Sequence, residues 1–244
     1  MKLIKQIANF FGYDLYRVKI KDNHLVIDRH VFNLFKILNV NCVIDVGAHK
    51  GEFGRRLRRN GFLGQIISFE PVQHSFKELS LCCKNDPKWK AYNFALGSEE
   101  STKTIKVMKS DDFSSFLTPV SYSKERFKDS LDIDHAENVQ VKTIDSILFK
   151  ILKDINKPCV FLKMDTQGFD LEVIKGAQKS INNIFGIQSE LSFKQIYKDA
   201  PDYIHVLKKY NELGFRVSGL YPVSRDKRNL VIIEYDCVMV KELT

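Results

Sequence analysis

No Cys-x-x-Cys pair occurs in this chain, and its cysteines, Cys42, Cys82, Cys83, Cys159 and Cys237, are odd in number. That excludes a closed disulfide framework and argues against a zinc site. Cys42 and Cys159 fall in predicted buried strands and read as small core residues of a protein kept in a reducing compartment, the cytoplasm. Cys82 and Cys83 are adjacent on a predicted helix, so the two cannot share the face on which a metal would sit. There is no apolar run long enough to span a bilayer. The opening MKLIKQIANFFGYDLYRV has one basic residue beside its first apolar pair and no small-residue cleavage site, which makes a poor secretory signal. Internal repeats and low-complexity segments are absent too. Near the densest basic run, Arg55, Arg56, Arg58 and Arg59, no aromatics interleave as they do in single-strand nucleic-acid binders.

What is present fits one ordinary domain. The 244 residues can bury a substantial core. The net charge of +8 favours acidic partners in general. The arginine run reads either as the solvated outer face of a helix or as a phosphate-binding patch. Residues 1–38 form a predicted helical extension to a main domain at 39–244. Leu3, Ile4, Ile7, Phe10 and Phe11 fall at helical spacing, flanked by Lys2 and Lys5. This helix either packs on the main domain or docks on a membrane surface or a partner. Val31, Leu34, Phe35 and Leu38 make a second amphipathic stretch, with Asp28 as its expected N-cap.

From Cys42 the pattern alternates. Strands are expected at 42–46, 65–69, 91–96, 159–164 and 185–189, with helices at 51–60, 71–84, 144–152, 169–181 and 200–213. Thr102 to Met108 alternates polar and apolar, as an antiparallel excursion does, and Val139 to Thr143 is another short strand. Strands at 215–220 and 230–240, joined by a loop at 221–229, would close the sheet with an antiparallel return. Residues 110–138 carry turn formers and charge with weak periodicity and read as a lid or substrate loop. The alternation predicts an α/β fold, a doubly wound sheet with helices on both faces.

The most informative stretch is VIDVGAHKGEFG, residues 43–54, followed by IISFEP ending at Glu70 and Pro71. An apolar strand, a glycine turn, a helix and a second strand ending on a carboxylate build a pocket for a nucleoside. Glycines admit the ligand to the backbone, and the carboxylate accepts hydrogen bonds from ribose hydroxyls. The spacing D-V-G-A-x-x-G has no second glycine where a pyrophosphate would press. It therefore points to S-adenosylmethionine (SAM) rather than NAD.

Ligands of such sheets sit beyond the carboxyl ends of the strands. Asp45, Gly47, Ala48 and Gly51 in the first turn, Glu70 and Pro71 after the second strand, Asp165 after the fourth and Glu190 after the fifth are the cofactor and catalytic candidates. Glu70 either grips ribose or caps a helix N-terminus. Asp45 either orients the turn or touches the ligand, and His49 either faces the ligand or lies on an exposed loop. Asp112 and Ser114, beside Asp111 and Ser115, could reach the adenine amino group or be plain turn chemistry. Lys163 and Asp165 lie two apart on one strand, either as a structural ion pair or as a carboxylate placed beside the transferred methyl.

These segments, with NFALG, VKTIDS, FLKMDTQGFDLEVIKGA and QSEL in this order, resemble the FkbM family of SAM-dependent methyltransferases over residues 43–191. The resemblance implies a class I, Rossmann-like, mostly parallel seven-stranded sheet and methylation of hydroxyls on sugars or natural products. It implies cofactor roles for Gly47 and Glu70 and places Asp165 near the methyl-transfer centre. His49 stands where the family often has Asn, and Gln167 where it often has Glu.

An alcohol acceptor has a proton to lose. Asp165 and Glu190 are the first candidates for the base, and His49 is the third. Two close carboxylates could instead hold Mg²⁺. The expected activity is O-methylation of a glycan or a small hydroxylated metabolite. A nucleic-acid methyltransferase and a non-catalytic interaction module are the rivals, the first motivated by net charge and the second by the N-terminal helix.

Overall fold

A computed structural model describes residues 2–12 and 24–242. The part of the expected N-terminal extension at 13–23 lies outside the described residues. Helices α1 (Lys2–Phe10) and α2 (Leu25–Leu38) precede β1 (Cys42–Val46), α3 (Glu52–Arg59), β2 (Gln65–Phe69), α4 (Gln73–Cys83) and β3 (Trp89–Tyr92). Then come β4 (Ala95–Leu96), β5 (Ser101–Met108), α5 (Ser121–Phe127), β6 (Ile133–Lys142) and α6 (Ile144–Leu152). The chain continues through β7 (Val160–Met164), α7 (Asp170–Lys175), β8 (Ile184–Ser192), α8 (Tyr203–Glu212), β9 (Phe215–Arg225) and β10 (Ile232–Lys241).

The main sheet has seven strands in the order β3-β2-β1-β7-β8-β10-β9. All its pairings are parallel except those of β10, which runs antiparallel to β8 and β9. This is a doubly wound, mostly parallel seven-stranded sheet, as the alternation predicts. The central strands β1 and β7 are buried along their whole length, as strands covered on both faces must be. Alternation sends Cys42, Ile44 and Val46 into one core with Leu148, Val173, Val206 and Tyr210. It sends Val43 and Phe161 into the other, with Val31 and Phe35 of α2, Phe53 and Leu57 of α3, and Leu79 of α4. The α2 helix is thus part of the domain core, its Phe35 ring 4.9 Å from that of Phe161. Of α1, Ile4, Ile7 and Phe10 are exposed, and so is Phe11 just beyond it.

The same alternation aligns a polar row across the second core. Ser68 pairs with Asp45, Asp45 with Lys163, and Lys163 with Gln188 in the strand register. The row ends under α3, where the Phe53 ring lies 5.8 Å from Lys163 Nζ.

Gly54 shows how tightly α3 seats on the sheet, since a Cβ there would stand 2.2 Å from the Trp89 ring. That ring cannot easily yield, because its Nε1 donates to Ser68 Oγ at 3.0 Å. Overpacking of this kind costs about 1–3 kcal/mol. The Gly54→Ala variant should therefore melt several degrees lower, at roughly 2–4 °C per kcal/mol for a chain of this size. An unchanged melting temperature would contradict this packing.

Several element boundaries differ from the sequence-based expectation. The strand expected at 91–96 is two: β3 ends at Tyr92 in the main sheet, and β4 joins a second, three-stranded sheet of order β4-β6-β5. Between them the Asn93 side chain donates to the Glu70 and Pro71 carbonyls, each at 2.9 Å, and turns the chain out of the ladder. The loop expected at 110–138 contains a 3-10 turn at Asp111–Phe113, α5 and half of β6. The outer half of β6 is exposed, so its segment IDHAEN carries no apolar alternation by which to recognise a strand. The helix expected at 169–181 stops at Lys175, because Gly176 lies against Gly97, where a Cβ would stand 2.0 Å from the Gly97 carbonyl oxygen. β8 runs on through Ser192, which places Glu190 within the strand rather than after it.

Candidate active site

The turn after β1 is fixed from both sides. Gly47 N and Ala48 N each donate to Phe69 O at 3.0 Å, tying the turn to β2. Lys163 Nζ donates to Gly47 O at 3.2 Å, tying it to β7. Gly47 has φ of +70°, and a Cβ there would stand 2.0 Å from Asp165 O, so only glycine lets the two loops meet. His49 and Gln167, one in each loop, also hold positive φ, at 48° and 54°. Strained backbone on both sides of the β1–β7 junction marks the crevice where ligands of such sheets bind.

A cavity of about 570 Å³ opens over these strand ends. Gly47, Ala48, His49, Glu70 and Pro71 line one end. Asp112, Ser114, Asp165 and Glu190 line the remainder. Asp45 and Gly51 are not in the lining. Gly51 lies against Leu79 and Trp89, and Asp45 is fully buried in the polar row.

Glu70 does two things at once. Its Oε2 accepts from His49 N and its Oε1 from Val72 N, both at 2.8 Å. It thus holds the first turn and the start of α4 while facing the cavity. Each oxygen keeps a second acceptor site. Burial pushes this carboxyl up to about 7, against the pull of those amides and of the His49 and Lys163 charges.

His49 is a strap. Its Nε2 stands 3.0 Å from Asp111 Oδ1 and its Nδ1 3.6 Å from Glu52 Oε2. Burial opposes the charge, but the neighbouring Glu52 and Asp111 carboxylates lift the imidazole to about 9. A protonated imidazole has no lone pair to offer. His49, expected as a third candidate base, sits between two carboxylates that favour its charged form. Asp111 is drawn in the same way: burial is outweighed by Lys50, 2.9 Å away, and by His49, and its carboxyl falls to about 2. Asp112 accepts from Ser110 Oγ at 2.5 Å and Ser114 Oγ from Met108 N at 3.3 Å, so both have turn partners as well as a place in the lining.

On β7, Lys163 Nζ lies 3.4 Å from Asp45 Oδ1 and 3.4 Å from Asp165 Oδ2. Burial works against this ammonium, but the two carboxylates hold it charged. Asp165 is the exposed end of the triad, with 44% of its side chain accessible to the cavity.

The sequence matches the Methyltransferase FkbM domain over residues 45–217. The chain belongs to the FkbM methyltransferase family. Among solved structures it is similar to the methyltransferase FkbM from Methylobacillus flagellatus KT, with 15% identity and a TM-score of 0.49. That match covers 82% of this chain and 43% of the other, so the chain spans less than half the length of that relative. It is also similar to an rRNA methylase from Streptococcus thermophilus (10% identity, TM-score 0.48, 93% and 100% covered). A third is the Aeropyrum pernix fibrillarin in complex with S-adenosyl-L-methionine (7% identity, TM-score 0.44, 82% and 66% covered). No curated protein matches.

FkbM-family membership implies SAM, and the residues present fit it. The Gly47 turn leaves space that a Cβ would fill, and Glu70 holds spare acceptor sites toward the cavity. Mg²⁺ fits less well. Gln167 Nε2 donates to Asp165 Oδ1 at 3.2 Å and to Glu190 Oε2 at 3.4 Å, so an amide NH₂ stands between the two carboxylates a cation would need. Among the described residues no group of three ligating side chains forms a metal site. Gln167 itself is held by Tyr197, whose hydroxyl lies 2.9 Å from its Oε1.

The arginine run of this FkbM-family chain is largely structural. Arg55 pairs with Glu52, Arg56 with Asp28 across to α2, and Arg58 with Asp86 at 2.6 Å. Arg58 also donates to the Phe62, Gly64 and Lys88 carbonyls.

Gln188, Glu234 and Asp236 are among the lining residues that escaped sequence reasoning. Their signal was available. Glu234 and Asp236 alternate within the apolar run IIEYDCVMV, which puts two carboxylates on one face of a strand otherwise built for burial.

Proposed function

We propose that this methyltransferase transfers a methyl group from SAM to a hydroxyl of a sugar or another small hydroxylated molecule. One observation carries the reading: the Asp165 carboxylate, accessible in the cavity, is aimed by Lys163 and Gln167 beside the glycine turn. Bound SAM supplies an already activated sulfonium methyl, so positioning dominates, with reacting atoms about 3 Å apart. Glu70 accepts ribose hydroxyls while it fixes the turn. Asp165 accepts the hydroxyl proton as the oxygen attacks. Lys163 orients Asp165 from 3.4 Å away. Glu190 is pushed well above the usual carboxyl range by burial and by Glu234, Asp165 and Asp236. It binds the acceptor, and Asp165 is the base.

Nucleic acid is disfavoured as acceptor, since the arginine run is spent on internal partners. A non-catalytic module is disfavoured by the acidic lining, which is costly to maintain without a ligand. The test is incubation with methyl-labelled SAM and a panel of sugars and hydroxylated metabolites, read by mass spectrometry. The product should gain one labelled methyl on oxygen. Methylation confined to RNA or DNA would overturn the reading.

SAM affinity should also depend on pH in a stated direction. Ribose hydroxyls and a sulfonium both favour ionised Glu70, so binding below its value of about 7 must first remove a proton. Affinity should rise by up to about tenfold per pH unit towards that value and flatten above it. Calorimetry across this window reads the slope, and a fall in affinity with rising pH would rule out Glu70 as the ribose contact.

A further inference from the structure

The wall of the cavity opposite the glycine turn is built by β8 and β10. Gln188 and Glu190 share one face of β8, and Glu234 and Asp236 share one face of β10, with Asp236 directly opposite Glu190 in the antiparallel register. All four line the cavity. Each carboxylate has one side-chain donor: Gln167 for Glu190, Ser224 at 2.7 Å for Glu234, and Gln188 Nε2 at 3.2 Å for Asp236. Gln188 is 4% exposed, and its Oε1 is buried with no hydrogen-bond partner. An orphaned acceptor stands beside three carboxylates, and this wall asks for a ligand that brings donors.

It asks for positive charge as well. Eight carboxylates line the cavity, and the basic side chains in the lining are Lys163, Arg56 and two histidines. This is the reverse of the chain's net charge of +8. Lys163 is committed to Asp45 and Asp165, and Arg56 to Asp28. Bound SAM, with a sulfonium, an ammonium and a carboxylate of its own, brings one net positive charge, fewer than the carboxylates on β8 and β10 alone. Burial and mutual repulsion push Glu190 and Glu234 upward and Asp236 up to about 6, the response of carboxylates facing each other without a cation. A neutral hydroxyl could fill the hydrogen bonds but not the charge. An ammonium fills both, with three donors on one point charge.

We infer that the methyl acceptor carries a free cationic amino group near the hydroxyl that is methylated, and that Glu190, Glu234, Asp236 and the Gln188 amide oxygen receive that amine. The inference rests on the SAM-dependent O-methylation reading above and adds the acceptor's chemical class, a hydroxylated amine such as an amino sugar. The reaction balances simply. The methyl C–S bond breaks with its electron pair to sulfur, the C–O bond forms, and the hydroxyl proton passes to Asp165 while the amine stays protonated.

The test uses the full chain saturated with S-adenosylhomocysteine, after a titration that first establishes that this compound binds. Absence of that binding would remove the underlying reading. The next titrations compare ethanolamine with N-acetylethanolamine and ethylene glycol, then methyl glucosaminide with its N-acetyl form and methyl glucoside, by calorimetry and ligand-observed NMR. The free amines should bind at least about tenfold more tightly than their neutral partners, the scale of one desolvated charge pair. The preference should vanish in Glu234→Gln/Asp236→Asn while homocysteine-product affinity is retained. Equal binding within each set, or no binding of the amines, overturns the inference while leaving SAM dependence intact. Displacement of ethanolamine by magnesium chloride would overturn it in favour of a bare cation. Should the double variant fail to fold, Gln188→Leu and the wild-type preference itself still decide the matter.

Discussion

Glu70→Gln should weaken SAM binding by about a hundredfold, the largest effect expected of any single substitution on cofactor affinity. Each hydrogen bond to a charged acceptor is worth about 1.5–3 kcal/mol and a ribose diol makes two; glutamine keeps one acceptor oxygen, so the loss of one bond and of the charge in the other comes to about two decades. The substitution has a second consequence. Glu70 accepts from both His49 N and Val72 N, and an amide can serve only one of them, leaving the other facing an NH₂ group. The turn and the start of α4 should both loosen, with a melting temperature several degrees lower. The two effects separate by measuring affinity in calorimetry and stability in thermal melts. A variant that melts lower yet binds SAM as the wild type does would show that Glu70 is scaffold only. Conversely, a loss of affinity with stability intact would assign Glu70 to the ligand alone.

Much of this site was readable in the primary structure, and the rest was hidden for physical reasons. The β1–turn–α3–β2 unit was legible because the fully buried strand, the glycine at positive φ and the terminal carboxylate each leave a local mark. The short-range logic failed where partners are distant in sequence. The strap role of His49 depends on Asp111, which arrives from the loop after β5. The acidic wall depends on β8 and β10 pairing, which brings Asp236 opposite Glu190 across a long separation. The strand expected at 139–143 is the inner half of β6; the outer half was missed because it is exposed and charged, so period-two alternation is absent there. Asp45, at a strand end, could be read as orienting the turn or as touching the ligand. Here Lys163 on the neighbouring strand neutralises it, and the register that pairs them is not visible in either segment alone.

Asp165→Asn should lower kcat by about a hundredfold to ten-thousandfold while changing SAM affinity little. The argument is geometric. Asp165 follows β7 beside the glycine turn, lines the cavity, and combines accessibility with a charged neighbour, Lys163 at 3.4 Å. Asparagine keeps the volume and the acceptor toward Lys163 but cannot take a proton. Lys163 still has Asp45 at 3.4 Å, so the polar row should survive and the fold should hold. Glu190→Gln is the informative comparison. Glu190 is assigned to binding the acceptor, so its effect on kcat should be several-fold rather than several decades, appearing mainly in KM for the acceptor. Steady-state kinetics of the two variants, with SAM affinity measured in parallel, decides between them. If Glu190→Gln costs the larger share of kcat, the proton is taken on the β8 side of the cavity, and Asp165 is left as the positioning partner of Lys163.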